Sequence, residues 1–322
     1  MKIPGNWDST VALKRMRRNM NSYFPCASCV RVVNLRREPV LRTGRTAMLL
    51  QGSAALVVRT GLQTAYACLV VYSGLLVFGL MCFIWSGAAG LLGHLLSEER
   101  GRVVGRWVTS CGFRCYLWLL ALTGVFRFDL RALDSLRDAG PLIIAPNHPS
   151  LLDAVMVLSR LPNVACVMKA DLINNPIYGA SARLAGYIRN DDFIGGVTEA
   201  VEDLGAGGQL LLFPEGTRTT RAPINRLKGG APLVSKRSGV PIQTVLIETT
   251  SPFLSKGWHL HRIPSMPVRY RLRLGRRFSP KDNLRETIAE LEAYLASELG
   301  SRGGIDTAGD TLARLQNRLD ER

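Results

Sequence analysis

An α/β domain with a largely parallel sheet, entered through an apolar, membrane-associated helical region, is the architecture this sequence predicts. Three observations carry it. No Asp, Glu, Lys or Arg occurs from Leu62 to Ser97. From Leu142 onward, short apolar runs alternate with helical patterns. Two of those runs lead directly into clusters of residues able to do chemistry.

With 47% hydrophobic residues, the 322-residue chain has ample material for a core, which excludes disorder throughout. Lys and Arg number 41 against 25 Asp and Glu, a formal charge of +16. The partners to expect are therefore anionic: nucleic acid, acidic lipid, phosphorylated substrate or an acidic carrier protein. A mean hydropathy of +0.10 is high for so basic a chain, because nucleic-acid binders carry their charge on more polar sequence.

Residues 1–60 are Arg-rich, nearly free of acidic residues and without sustained period, and read as a basic, disordered arm. Positive charge beside the first apolar run holds this end in the cytoplasm, and Met48 is an alternative start. Residues 61–128 form the membrane-associated helical region. The charge-free run exceeds the roughly 20 residues a helix needs to cross a bilayer. Gly87, Gly90 and Gly93 suggest a break, giving one span over about Thr64 to Ser86 with an interfacial segment, or two half-inserted helices. The soluble alternative is a buried core helix. Trp85, Trp107 and Trp118, with Arg100, Arg102, Arg106 and Arg114, suit a headgroup-level zone. A second helical region runs from Gly101 to Phe128.

Residues 129–300 read as the α/β domain, where sites collect at strand ends. Leu142–Ala145, Val164–Met168, Gln209–Phe213, Val240–Ile247 and Val268–Leu274 read as strands. Leu151–Arg160, Ile177–Ala185, Phe193–Leu204, Ala231–Ser238 and Asn283–Gly300 read as helices. Residues 301–322 are a tail with a further helix over Thr311–Leu319. The seven cysteines are odd in number and lie mostly in apolar sequence, which argues for a reducing, cytoplasmic-side protein without a disulfide framework. Cys26 and Cys29 form a C-x-x-C pair with no second pair at zinc-site spacing, so no metal site is expected.

The first chemical cluster is Asn147-His148-Pro149-Ser150-Leu151-Leu152-Asp153, at a strand-to-helix turn. A carboxylate that fixes an imidazole tautomer lets the other ring nitrogen take a proton from an attacking hydroxyl. A spacing of five is off the same-face positions of a helix, so an irregular first turn is required. Alone, a helix-capping His with a merely solvated Asp is the better explanation of the pattern. The second cluster, Phe213-Pro214-Glu215-Gly216-Thr217-Arg218-Thr219, also follows a strand. Gly216 permits close backbone approach, Arg218 can grip a phosphate bidentately, and Thr217 and Thr219 add donors. A carboxylate there would repel a phosphate, so Glu215 is expected to pair with Arg218 or to hold an acceptor hydroxyl. Alone, this segment reads equally well as simply a good turn.

Together, in this order and following strands of one sheet, the clusters resemble the 1-acylglycerol-phosphate acyltransferase family of glycerolipid synthesis. The resemblance covers roughly Leu142 to Thr250 and implies an αβα sandwich with a mostly parallel sheet. It implies His148 and Asp153 as catalytic residues, and Glu215, Gly216, Thr217 and Arg218 as binders of the acceptor's glycerol phosphate, with Asn147 and Ser150 joining the acceptor-binding set. Lys169 and Gly186-Tyr187-Ile188-Arg189 look like two weaker family blocks that add Lys169 and Arg189 to this set, although the arginine comes early and Asn190-Asp191-Asp192 follows it. Val240-Pro241-Ile242-Gln243 resembles a late structural block.

The chain lacks G-x-S-x-G, a Walker loop and H-E-x-x-H. Direct transfer from acyl-CoA or an acidic acyl-carrier protein is then the simplest chemistry, needing neither metal nor prosthetic group, with nearby donors steadying the oxyanion. The expected partners are a lipid acceptor, the acyl thioester and an anionic membrane surface, with no nucleic acid. The active site should face the cytoplasm, at the inner membrane if the chain is bacterial. Lysophosphatidate is the acceptor the family implies, and another lysophospholipid or specialised acceptor is the alternative. A basic, membrane-anchored protein that binds nucleic acid or lipid without catalysis is the competing class; Arg269, Arg271 and Arg273, alternating on one strand face, are its best support.

Overall fold

The structure is a computed structural model that describes residues 43–175, 179–264 and 266–300, with side chains from Gly61 onward. All side-chain geometry below lies in the compact unit Val58–Arg322. The arm before residue 43, the Cys26/Cys29 pair and the Thr311–Leu319 helix lie outside the described residues. The apolar helix α1 spans Thr43–Leu95, so it begins inside the stretch read as a disordered arm. It is followed by α2, Glu98–Leu122.

Seven strands form one sheet: β1 Phe126–Asp129, β2 Leu142–Pro146, β3 Val164–Met168, β4 Ile188–Arg189, β5 Gln209–Leu211, β6 Ile242–Thr249 and β7 Val268–Phe278. Their order is β1-β7-β6-β2-β5-β3-β4. The run from β6 to β4 is parallel, while β7 pairs antiparallel with β6 and carries β1 parallel to itself. The helices of the domain are α3 Leu152–Arg160, α4 Ala170–Ile173, α5 Gly179–Leu184, α6 Phe193–Gly205, α7 Gly230–Ser238 and α8 Leu284–Gly300.

Every residue of β2 is buried, as a strand covered on both faces must be, and this is why it reads as a continuous apolar run. Ile144 joins Val70, Leu117, Met156 and Tyr270 in one core. Its neighbour Ile143 points the other way and packs with Val197, Leu204, Val234 and Leu291. Helices α1 to α3 thus cover one face and α6 to α8 the other, which is the αβα sandwich expected.

Several boundaries differ from the sequence reading. Helix α2 stops at Leu122, where Thr123 and Gly124, with φ +73°, turn the chain. Phe126–Asp129 then pairs with β7, so the end of the stretch assigned to a helix belongs to the sheet. Four residues are too few for period two to stand out against a helical pattern. The glycines of α1 do not break it; the break falls at Leu96 and Ser97. A side chain at Gly105 of α2 would collide with the Ala185 backbone, 2.7 Å from the ideal Cβ position, so glycine here buys a close helix contact.

Helix α1 docks lengthwise on the rest of this unit. The Tyr66 hydroxyl donates to Thr123 O at 2.9 Å, the Tyr72 hydroxyl to Leu260 O at 3.1 Å, and Trp85 Nε1 to Thr109 Oγ1 at 3.2 Å. Gly90 lies against Ala180. From Tyr66 to Gly90 is roughly 36 Å at ~1.5 Å per residue. The opposite side of α1 carries Leu62, Leu69, Leu76 and Phe83 at seven-residue spacing, each 60–68% exposed, and Trp107 and Trp118 of α2 are also exposed.

Two of the arginines expected at headgroup level are structural. Arg114 Nε donates to Ser159 O at 3.1 Å. Arg106 is 5% exposed, donates to Ala185 O, and meets Asp203 of α6 through both amino nitrogens at 2.6 and 3.2 Å. Removing one partner of a buried ion pair leaves an uncompensated charge. Asp203→Ala should therefore destabilise the fold by about 3–5 kcal/mol, and Arg106→Met with Asp203→Leu should recover much of that; chemical unfolding in detergent checks both.

Candidate active site

Strand β2 delivers Asn147 and His148 to the C-terminal edge of the parallel strands. Asn147, 5% exposed, clamps β6: its Nδ2 donates to Ile247 O at 3.0 Å and its Oδ1 accepts from Ile247 N at 2.7 Å. Both ends of its amide engage the Ile247 backbone, so Asn147 positions the turn that carries His148. Ser150, 1% exposed, is likewise internal. Its hydroxyl donates to Phe253 O at 2.9 Å and lies 3.3 Å from the Tyr270 hydroxyl.

The irregular turn that the spacing required is present. His148 to Leu151 precede α3, and Asp153 sits in the helix's first turn. Asp153 Oδ2 reaches back to accept from Ser150 N at 2.7 Å and meets His148 Nδ1 at 2.8 Å. Because this oxygen is an acceptor, Nδ1 carries the proton and Nε2 keeps its lone pair. The imidazole stacks on Phe213 with centroids 3.9 Å apart, which fixes the ring plane. Asp153 is wholly buried, and its Oδ1 has no hydrogen-bond partner among the described residues. Burial pushes its carboxyl up to about 6, against the opposing pull of His148 and the Ser150 N–H.

The second cluster closes on the first. Glu215 is 2% exposed; its Oε1 accepts the His148 N–H at 3.0 Å and the Thr219 hydroxyl at 2.7 Å, and its Oε2 accepts the Asn225 N–H at 2.9 Å. Thr219 N donates to His148 O at 2.7 Å. Glu215 therefore neither pairs with Arg218 nor faces an acceptor: it is a brace that holds the histidine's peptide from the other motif. Arg218 Nη1 donates to Leu254 O and Ser255 O at 2.9 and 2.8 Å, so part of its fork is committed to the loop after β6. Gly216 has φ +64°, and the Lys228 side chain passes within 2.7 Å of where its Cβ would be. Thr217 is half-buried in the same turn.

Lys169 and Arg189 end β3 and β4, on the same edge but two and three strands from β2, roughly 10 and 14 Å away at ~4.8 Å per strand. Lys169 is exposed. Arg189 is forked onto Asp191 at 3.1 and 2.7 Å, and so its guanidinium already has an anion; the carboxylate supplied by Asn190-Asp191-Asp192 takes the place expected for a phosphate. The structure adds residues that sequence reasoning missed: Lys228, Asn225, Tyr270 and the segment Phe253–Ser255. Their distances along the chain, 103 residues from Ser150 to Phe253, left no local signal. Leu254 adopts the left-handed region, at φ +56°, a strained conformation for a non-glycine residue that the surrounding hydrogen bonds hold in place.

Glu215 accepts three hydrogen bonds out of water, and bonds to a buried charged group are worth about 1.5–3 kcal/mol each. Glu215→Gln replaces one acceptor with a donor facing N–H groups. It should lower unfolding free energy by about 2 kcal/mol and reduce turnover; urea unfolding and steady-state assay of the same preparation check it.

Residues 127–248 match the family model described as Acyltransferase. The chain is 28% identical over 222 residues to lysophospholipid acyltransferase LPCAT4 of Mus musculus, covering 62% of this chain and 40% of that protein. It is 22% identical over 189 residues to the 1-acyl-sn-glycerol-3-phosphate acyltransferase of Pseudomonas aeruginosa, covering 57% and 72%. It thus spans less than half the length of the mouse relative. The crystal structure of the 1-acyl-sn-glycerophosphate acyltransferase PlsC from Thermotoga maritima superposes with a TM-score of 0.51 at 19% identity, over 74% of this chain and 100% of that one, a likeness of fold. In sandwich, motif order and sequence, the segment 127–248 matches the Acyltransferase family model, and the chain is similar to 1-acylglycerol-phosphate and lysophospholipid acyltransferases.

Proposed function

We propose that this chain is a membrane-bound O-acyltransferase that moves an acyl group from acyl-CoA or acyl-carrier protein to the hydroxyl of a lysophospholipid, with 1-acylglycerol-3-phosphate, giving phosphatidate, as the leading acceptor. The observation that carries the proposal is the 2.8 Å contact between His148 Nδ1 and Asp153, inside a turn whose two motifs hold each other. Nε2 takes the acceptor proton as the oxygen attacks the thioester carbonyl; the tetrahedral intermediate collapses, the C–S bond breaks and the thiolate leaves. Asp153 stabilises the imidazolium formed meanwhile. Arg218, through the donors not held by Leu254 and Ser255, takes the acceptor phosphate together with Lys228 and Thr217. The acyl thioester supplies the electrophile, so no cofactor is invoked.

The exposed apolar side of α1 and α2 is the surface that meets the bilayer. With α1 docked lengthwise, it lies against the membrane on one side and the domain on the other. The cytoplasm is the side from which thioesters arrive. The Arg189–Asp191 fork withdraws one cation from phosphate binding, which favours a phosphodiester lysophospholipid as the second reading of the acceptor.

A panel of lysolipids, assayed with both acyl-CoA and acyl-carrier protein and read by mass spectrometry, tests the proposal. Product should form from lysophosphatidate and fall by about 10²–10⁴-fold in His148→Ala, the range ascribed to a positioned general base. No product from any acceptor in the wild type overturns it. The raised Asp153 carboxyl sets a sign for pH. Above about 6 it is ionised and supports the imidazolium; below about 6 it is protonated and that support is lost. The rate should fall as pH drops through 6. The same shift makes the fold lose stability as pH rises from about 4, the ordinary carboxyl range, towards 6. Asp153→Asn should thus unfold at higher urea at pH 7 than the wild type while losing activity.

A further inference from the structure

The loop after β6 leaves the site wall and reaches the membrane-facing helix. Phe253 O and Leu254 O are tied to Ser150, Leu151 and Arg218. Six residues later, Leu260 O accepts the hydroxyl of Tyr72, midway along the apolar face of α1. Lys256 and Trp258 lie between these anchors and Arg262 just beyond the second, and Leu260 itself is 55% exposed. The Arg262 guanidinium lies over the Trp258 ring, 5.0 Å from its centroid. Lys256 is exposed, and neither cation has a carboxylate partner among the described residues. Sequence excludes one nearby on this strand-loop-strand unit, because no acidic residue occurs between Glu248 and Asp282.

We propose that residues 256–262 form a lip that binds anionic phospholipid headgroups at the bilayer surface, at the junction of the membrane face and the acceptor site. An exposed leucine flanked by cations is the arrangement of an interfacial wedge: the apolar tip enters the acyl boundary while the charges meet headgroup phosphates. An acidic soluble protein would satisfy the charges. It would not satisfy Leu260, whose side chain is exposed while its carbonyl is held against α1 by the Tyr72 hydroxyl. Aromatic side chains with one wet edge favour the same interface, and Trp258 with Arg262 stacked on it supplies one. The inference rests on the reading of α1 as a membrane surface.

The test is flotation of the full chain with vesicles of phosphatidylcholine alone or mixed with phosphatidylglycerol. The wild type should partition more strongly to the anionic vesicles. A cation near an anionic surface contributes about 1 kcal/mol, or about fivefold. Lys256→Ser with Arg262→Ser should therefore cut the anionic-over-neutral ratio by about 25-fold. It should keep neutral-vesicle binding and unchanged turnover on detergent-dispersed acceptor, which reports an intact fold. Lys256→Arg with Arg262→Lys should retain the preference, and Leu260→Ser should weaken binding to both vesicles. If the double serine variant keeps the wild-type ratio, or loses only its retention on an acidic polypeptide, the lip assignment fails while the membrane reading stands. If the wild type floats with neither vesicle, the membrane reading itself fails, and this inference with it.

Discussion

The site depends on a buried carboxylate that accepts hydrogen bonds from both motifs. Glu215, buried in the turn after β5, accepts the backbone N–H of His148 and ties down both Thr219 and Asn225. A buried charge is tolerable only when its hydrogen bonds are made, so the two motifs are locked to each other's geometry. The backbone around His148 is held from both sides, since Thr219 N takes its carbonyl. The imidazole then needs only Asp153 and the Phe213 ring to fix its orientation.

The same economy appears in the wall opposite. Phe253 O accepts from Ser150, and Leu254 O from Leu151 N and Arg218. One short loop thereby fastens the start of α3 to the turn that follows β5. Tyr270, wholly buried beneath it, reaches both Ser150 and Phe253 O. Burial raises the Tyr270 phenol well above its usual range, so it stays neutral and serves as a fixed polar post.

Much of this was legible in the sequence. The β2, β3 and β5 runs are continuous and apolar because both faces are covered, and the motifs sit where such strands end. The His148–Asp153 pairing could be read because its partners are five residues apart. The role of Glu215 could not be read, because its ligand is a peptide N–H 67 residues away and backbone donors leave no trace in side-chain chemistry. Asn147 looked like a substrate contact for the same reason, its true partner being the backbone of Ile247. The doubt that Asn190-Asp191-Asp192 raises over Arg189 has a visible physical basis: Asp191, two residues on, forms an exposed ion pair with its guanidinium. Strand β1 escaped notice because four residues between a helix end and a turn carry too little periodicity.

Val70 and Val71 of α1 share one hydrophobic cluster with Phe126, Ile144 and Tyr270, so the long apolar helix is also an interior wall of the α/β domain. Trimming the chain to a water-soluble fragment that starts after Leu95 would strip that wall and open the space beside β1 and β7 to solvent. Such a fragment would trade one exposed apolar surface for another. For this chain, the long apolar helix and the integrity of the fold cannot be separated.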